Sequence, residues 1–328
     1  MIPSAFDYHA PKSVGEAISL LSSLGGDAKL LAGGHSLLPM MKLRFAAPVA
    51  LIDINRIPEL RGITEQGGMI RIGAMTSENE LIASKLLNDK LPLLPEAAKL
   101  IADPQVRNRG TIGGDIAHGD PGNDHPAIAM ALDATFVLQG PAGERQVKAV
   151  DFFHGTYMTA LAENEILTAI LIAPFAAGTG SAYQKLKRKT GDWATAGAAV
   201  VLRMSSGVVT HASIGLTNVA PTALRARDAE AALIGRAINA ASLDAAAAAV
   251  RAICDPAEDL RGDAEYKTAM AGEMTKRAIT AASARCSWFI YRLNGAFPHE
   301  RENCFPDPER QKSRRSGGTA HPLDSFFA

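Results

Sequence analysis

Two pairs of adjacent glycines form the clearest chemical pattern in the sequence. One lies in AGGHS (32–36) and the other in TIGGD (111–115), each between a short apolar run and a small hydroxyl or acidic residue. Adjacent glycines permit positive φ angles and lack Cβ atoms, so backbone N–H groups can converge on an anion. We therefore expect two turns at strand ends that hold one pyrophosphate between them, with Ser36 and Thr111 as hydroxyl donors. Two ordinary tight turns are the alternative. Neither segment matches the Rossmann or P-loop fingerprint, so neither of those nucleotide-binding folds is indicated.

Composition and charge exclude several classes of protein. The chain has 328 residues, 47% of them hydrophobic, with 34 basic and 34 acidic side chains. These values predict a soluble protein of two or three packed units, without the basic excess and interleaved aromatic residues of nucleic-acid binders. No segment reaches the ~18 apolar residues needed to span a bilayer, and the first residues do not resemble a signal peptide. We expect a cytoplasmic protein, and peripheral attachment to the inner face of the cytoplasmic membrane stays open.

The cysteines limit the redox chemistry of the chain. Cys254, Cys286 and Cys304 form no CxxC pair, whereas a 2Fe–2S cluster needs four thiolates or a set partly replaced by histidine. Any iron–sulfur cluster in this system should therefore belong to another chain. An odd number of cysteines also argues against the disulfide framework of a secreted protein.

A polar loop after the second glycine pair raises the question of a metal site. His118 and His125 flank DPGND (120–124), with Asp115 just before them. These side chains lack the compact spacing of metal ligands, so we predict no metal. We also predict no catalytic residue, because the sequence shows no nucleophile elbow and no convincing general acid–base pair.

Apolar periodicity predicts an α+β chain of consecutive units. In the first unit, 1–55, we expect a helix over 13–24 with Ser13 as its N-cap. Two buried strands should follow it, over 28–34 and 49–54. The second unit, 56–176, begins with a strand and a capping box formed by Ser77 and Glu80. A helix should start at about Pro126, and three strands should follow it, over 135–140, 145–150 and 166–173. The third unit, 177–285, is predicted to be a three-stranded antiparallel sheet followed by a bundle of alanine-rich helices.

Longer stretches around both glycine pairs resemble a known family. LLAGGHSLLPMMKLR (30–44) and RNRGTIGGDIAHGDPGNDHPA (107–127) are similar to the two flavin-binding signatures of molybdenum hydroxylase flavoprotein subunits, in particular the medium subunits of aerobic carbon monoxide dehydrogenases. KLKRKTGDWATAGAAVV (185–201) adds to the likeness, which extends to about Ala284. The remaining residues, 286–328, depart from the family and show no periodicity, so we predict a divergent and disordered tail.

The resemblance implies a fold and a set of contacts to FAD. The fold would be the two-subdomain FAD-binding fold of the vanillyl-alcohol oxidase (PCMH-like) type, followed by a C-terminal CO dehydrogenase flavoprotein domain. Residues of both glycine segments would contact the pyrophosphate and ribityl parts of FAD: Ala32, Gly33, Gly34, His35, Ser36, Thr111, Ile112, Gly113, Gly114 and Asp115. Asp124 matches an acidic residue that hydrogen-bonds the cofactor, and Lys185 matches a residue near the isoalloxazine ring.

Trp193 matches the position where the family places a side chain beside the flavin ring. An indole at this position could stack on the isoalloxazine and shield one of its faces from solvent and dioxygen. A core tryptophan at the start of a strand is the alternative that the sequence leaves open.

The resemblance also implies a redox task shared with other chains. A large subunit with a molybdenum–copper cofactor would oxidise carbon monoxide, and a small subunit with two 2Fe–2S clusters would pass the electrons to FAD in this chain, within a dimer of heterotrimers. A quinone or another acceptor would then receive them. Three alternatives stay open: a subunit of another molybdenum hydroxylase such as a xanthine dehydrogenase, a self-contained FAD oxidoreductase, and a nucleotide-binding scaffold that would be colourless when purified.

Overall fold

The computed structural model of the chain describes the backbone of residues 2–293 and the side chains up to residue 286. The described residues form an α+β structure, as predicted, with three main sheets that follow one another along the chain. Residues up to Ile290 form one compact unit. None of the described helices is long and apolar enough to cross a membrane.

The first sheet is parallel and three-stranded, with β3 at its centre. It is built from β1 (Asp7–His9), α1 (Val14–Leu24), β2 (Ala28–Leu31), α2 (Leu37–Lys42) and β3 (Ala50–Asp53). Ser13 caps α1 as predicted, because its hydroxyl accepts a hydrogen bond from the N–H of Glu16 at 3.2 Å. β1 escapes prediction from the sequence because it is three residues long and two of its side chains are exposed.

The second sheet is antiparallel and five-stranded, in the order β4-β5-β10-β6-β7. Its strands and a small two-stranded ribbon, β8 with β9, have these bounds: β4 (Ile63–Gln66), β5 (Met69–Gly73), β6 (Thr135–Gly140), β7 (Gly143–Lys148), β8 (Phe153–Gly155), β9 (Met158–Thr159) and β10 (Ile166–Ile172). β10 occupies the central position because its sequence, ILTAILI, is apolar on both faces and is almost entirely buried.

Short helices connect these strands: α3 (Glu78–Ala83), α4 (Lys85–Lys90), α5 (Leu93–Ala98), α6 (Pro104–Arg107), α7 (Ile112–His118) and α8 (Asp124–Ala131). The capping box of Ser77 and Glu80 at the start of α3 is confirmed. Short 3-10 turns occur at Gly25–Asp27, Ile54–Arg56, Pro58–Leu60 and Ala149–Asp151. α7 and α8 begin at residues predicted to belong to the site.

The third sheet has four strands rather than the predicted three: β11 (Thr179–Leu186), β12 (Ala196–Ser205), β13 (Val208–Thr217) and β14 (Leu224–Arg225). β14 is missed because its two residues lead directly into the helical pattern of α9 (Arg227–Leu233). Two longer helices follow, α10 (Ala240–Ala252) and α11 (Ala264–Leu293). α11 continues beyond the predicted end at 285, and the rest of the predicted tail lies outside the described residues.

Helix α8 joins the second and third sheets. Every residue of α8 is buried, and Gly215 of β13 lies so close that an added Cβ atom would be 1.9 Å from the carbonyl oxygen of Ala127. The start of α8, at Asp124 and His125, is therefore held rigidly between the two sheets. The main sheets fall within the predicted ranges 1–55, 56–176 and 177–285, and the limits of the domains stay a prediction.

Candidate functional site

The first glycine segment lies between β2 and α2. Within the part of the chain that the structure describes, no acceptor takes a hydrogen bond from the N–H of Gly33, Gly34, His35 or Ser36. Gly34 has a φ angle of +77°, which glycine adopts without a Cβ clash. Ser36 precedes α2, but its hydroxyl makes no capping hydrogen bond. The predicted turn at a strand end is confirmed here, and it presents free donors.

The second glycine segment is not the predicted turn at a strand end, because it begins helix α7. Thr111 is the N-cap of this helix, and its Oγ1 accepts a hydrogen bond from the N–H of Gly114 at 3.2 Å. Gly113 lies against Ala74, where an added Cβ atom would be 2.4 Å from the Ala74 Cβ. Most N–H groups of the segment donate to protein acceptors: those of Ile112, Gly113, Gly114 and Asp115. The second segment therefore offers fewer free donors than the first.

The structure brings the two segments into direct contact. A Cβ atom added to Gly33 would lie 2.3 Å from the carbonyl oxygen of Arg109, and one added to Gly114 would lie 3.6 Å from the Cβ of Ala32. Asn55 holds the first segment in place by donating from Nδ2 to the carbonyl of Ala32 at 2.8 Å. Gly33 is thus required by the close approach of two backbones rather than by its φ angle.

An open cleft of about 380 Å³ lies beside this contact, within the size range of small-molecule sites. Its polar lining comprises Asn55, Arg61, Ser77, Asn79, Glu80, Asn108, Arg109 and Thr111. The carboxylate of Glu80 accepts hydrogen bonds from the N–H and the hydroxyl of Ser77. The two arginines supply positive charge for an anionic ligand. Arg109 lies just before the second glycine segment, whereas Asn55 and Arg61 lie in a separate part of the sequence that carries no recognisable motif.

Asp124 and Lys185, both predicted site residues, form a buried ion pair with each other. The Nζ of Lys185 lies 2.6 Å from Oδ2 of Asp124, and the two side chains are 2% and 5% exposed. The hydroxyl of Tyr183 donates to the other carboxylate oxygen of Asp124. Burial, reinforced by Asp124, raises the pKa of Tyr183 well above its ordinary value, so the phenol stays protonated. Tyr183 is a third member of this group that the sequence did not reveal.

Asp115 is tied to the start of α8. Its carboxylate accepts a hydrogen bond from the N–H of His125 at 3.2 Å, and the imidazole Nε2 of His125 lies 2.9 Å from the buried carboxylate of Glu78. Burial lowers the pKa of His125, but the charge and hydrogen bond of Glu78, with the charges of Asp115 and Asp124, raise it to about 9. Burial raises the pKa of Asp115 to about 7. Asp115 thus links the second glycine segment to the start of α8, next to Asp124.

The two histidines that suggested a metal have different neighbours. His125 pairs with Glu78, whereas the ring of His118 lies 5.0 Å from the ring of Tyr157, centroid to centroid. Among the described residues, no three His, Cys, Asp or Glu side chains are grouped to hold a metal ion. His35 is exposed beside the free N–H groups of the first segment.

Trp193 lies on the loop between β11 and β12 and is 52% exposed. The alternative of a core tryptophan is therefore wrong. Its ring faces the loop before α8, since a Cβ atom added to Gly122 would lie 3.3 Å from Cδ1 of Trp193. The indole is thus accessible at the surface next to the segment that leads to Asp124.

Comparisons with known proteins agree with this geometry. The FAD binding domain in molybdopterin dehydrogenase matches residues 4–174, and the CO dehydrogenase flavoprotein C-terminal domain matches residues 181–282. The carbon monoxide dehydrogenase medium chain of Hydrogenophaga pseudoflava is 68% identical over 287 residues, covering 88% of this chain and 100% of that one. The corresponding chain of Afipia carboxidovorans is 54% identical over 285 residues, covering 87% and 99%.

A solved structure shows the same fold. It is the carbon monoxide dehydrogenase from Hydrogenophaga pseudoflava that lacks the Mo-pyranopterin moiety of the molybdenum cofactor, and it matches with a TM-score of 0.86 and 71% sequence identity, covering 87% of this chain and 100% of that one. The predicted FAD-binding fold, the C-terminal flavoprotein domain and FAD as the cofactor are confirmed by these matches. The chain therefore belongs to the medium-chain family of the carbon monoxide dehydrogenases, the FAD-binding subunits of these oxidoreductases.

Proposed function

We propose that this chain is the electron-transfer subunit of an aerobic carbon monoxide dehydrogenase. Electrons come from 2Fe–2S clusters of a small partner subunit, pass through FAD in this chain, and leave to a quinone or another acceptor. A large partner subunit with a molybdenum–copper cofactor oxidises carbon monoxide, and two such three-chain units form the whole enzyme. The full-length similarity to medium chains of carbon monoxide dehydrogenases supports this assignment.

The contact between the two glycine segments is the observation that carries the proposal. The first segment presents the free N–H groups of residues 33–36 and the hydroxyl of Ser36, beside the cleft that contains Arg109. Converging N–H groups and a guanidinium suit a diphosphate. The residues present therefore fit FAD, and a Cβ atom at Gly33 would displace the segment that holds these donors.

The other predicted residues have separate tasks in this proposal. Bound FAD supplies the one- and two-electron chemistry, and the protein contributes position and electrostatics. The ion pair of Asp124 and Lys185 fixes an ammonium group near the flavin, and Tyr183 holds the carboxylate in place. Trp193 covers one face of the ring. Thr111 and the start of α7 set the distance between the second segment and the first.

The experiment that tests this proposal is reduction of the flavin by carbon monoxide. The chain should be purified alone and together with a large and a small subunit of a carbon monoxide dehydrogenase. We expect carbon monoxide to bleach the flavin absorbance under anaerobic conditions only in the assembled enzyme. Rapid reduction of FAD by an organic substrate in the isolated chain would instead support a self-contained oxidoreductase. Bleaching by a purine and not by carbon monoxide would assign the chain to another molybdenum hydroxylase.

A further inference from the structure

The loop that carries Trp193 is held by an arginine from a distant part of the chain. The guanidinium carbon of Arg261 lies 5.4 Å from the centroid of the Trp193 ring, within the range of a cation–π contact. The same guanidinium donates to Oδ1 of Asp192 from Nη2 at 3.0 Å and from Nε at 3.2 Å. Arg261 therefore binds both the ring and the residue just before it.

Asp192 holds this loop in place by accepting several hydrogen bonds. Its side chain is 5% exposed, and it also accepts a hydrogen bond from Nε of Arg188 at 2.8 Å and one from the N–H of Trp193 at 3.0 Å. The hydrogen bond from Arg188, with those from Arg261, lowers the pKa of Asp192 to about 2. The carboxylate is therefore charged at every physiological pH, and both arginines stay paired with it.

Arg261 is itself held in place from helix α11. Asp259 accepts a hydrogen bond from Nη1 of Arg261 at 3.1 Å and also pairs with Lys267 at 3.0 Å. The side chain of Lys267 is 2% exposed, and its Nζ donates to the carbonyl of Ala257 at 2.7 Å. The chain of contacts from Lys267 through Asp259 to Arg261 fixes the guanidinium plane before any ligand binds.

We propose that Arg261 is a positioning residue that sets the indole of Trp193 for stacking on the isoalloxazine of FAD. This inference rests on the proposed function, because it requires the flavin ring to lie beside Trp193. The guanidinium lies over the indole, and Trp193 is 52% exposed, so part of its surface is accessible to a flat ligand ring. A lysine cannot replace Arg261, because an ammonium lacks the planar group that pairs with Asp192 and stacks on the ring.

The first test needs no flavin. The sequence contains two tryptophans, Trp193 and Trp288, so a Trp288→Phe background isolates the emission of Trp193 in the full chain. In this background, Arg261→Ala and Arg261→Lys should each raise acrylamide quenching about twofold, because the covered face of the indole opens. Arg188→Ala is the matched control, because it removes the other arginine on Asp192, together with its hydrogen bond to the carbonyl of Leu260 at 3.0 Å, and leaves the guanidinium of Arg261 in place over the ring. Equal quenching in all variants, with unchanged circular dichroism, would overturn the inference.

The second test uses the assembled, FAD-loaded enzyme and separates this inference from the proposed function. A stacked indole quenches flavin emission, so Trp193→Ala and Arg261→Ala should both increase it, whereas Arg188→Ala should increase it less. If Trp193→Ala leaves flavin emission unchanged, the placement of the flavin beside Trp193 is wrong. If Trp193→Ala increases it and Arg261→Ala does not, the flavin placement holds and the role of Arg261 is refuted.

Discussion

Replacing Gly33 with alanine should force the two glycine segments apart. The new Cβ atom would lie 2.3 Å from the carbonyl oxygen of Arg109 and 2.9 Å from the Cα of Gly110. Both are backbone atoms, so no side-chain rotation relieves the overlap, and the segments must separate by roughly 1 Å at a cost of about 1–3 kcal/mol. Because Gly110 leads directly into Thr111, this separation also widens the proposed diphosphate site.

The assay compares Gly33→Ala with Gly15→Ala. Gly15 lies on an exposed face of α1 with nothing within 4 Å of an added Cβ, so alanine there should stabilise the chain by about 0.5–1 kcal/mol. Urea unfolding should therefore shift in opposite directions for the two variants. FAD content after assembly should fall by about tenfold for Gly33→Ala, which corresponds to about 1.4 kcal/mol, and stay unchanged for Gly15→Ala. Wild-type stability and FAD content in Gly33→Ala would refute the backbone contact.

Three other residues give further predictions. Gly34→Val should abolish FAD retention, because a β-branched residue is strained at a φ angle of +77°; retention of FAD in the purified enzyme would contradict this. His125 has a folded pKa of about 9 against an ordinary 6.5, so its stabilising effect is complete below pH 6.5 and is lost as the pH rises through 9. Unfolding free energy should fall by on the order of 3 kcal/mol over this range, and Glu78→Gln should flatten the dependence. Lys185→Met should cost about 3–5 kcal/mol by removing the ion-pair partner of the buried Asp124, and adding Asp124→Asn should recover part of that loss in urea unfolding.

Local patterns allowed much of the fold to be predicted. The apolar run of β10 indicated a buried strand, and the Ser77–Glu80 spacing indicated the start of α3, because each signal depends on residues close in sequence. β1 and β14 could not be predicted, since two or three residues carry too little periodicity. The start of α7 was also misassigned, because two adjacent glycines disfavour a helix and the contact of Gly113 with Ala74 is not visible in the sequence.

The polar site was predictable only where a motif marks it. Asp115, Asp124 and Lys185 were identified by resemblance, but their partners are far away in sequence. Glu78 pairs with a histidine 47 positions later, and Tyr183 reaches Asp124 across 59 positions. Such pairs depend on how α3, α8 and β11 pack together. A buried charge requires a partner, so an unmatched acidic or basic residue within a motif is a reason to look for one elsewhere in the chain.

The two glycine pairs have different physical roles although their sequences are alike. In the first segment, glycine permits an unusual backbone conformation: Gly34 takes a left-handed angle, and the neighbouring N–H groups find no acceptor among the residues that the structure describes. In the second segment, glycine allows close packing, because Gly113 lies directly against Ala74. The N–H groups at the start of this helix donate to protein acceptors. Alanine at Gly113 should therefore weaken folding through a clash, whereas a bulky residue at Gly34 should weaken FAD binding most. We therefore expect the diphosphate donors to come mainly from residues 33–36, with residues 111–115 determining where those donors lie.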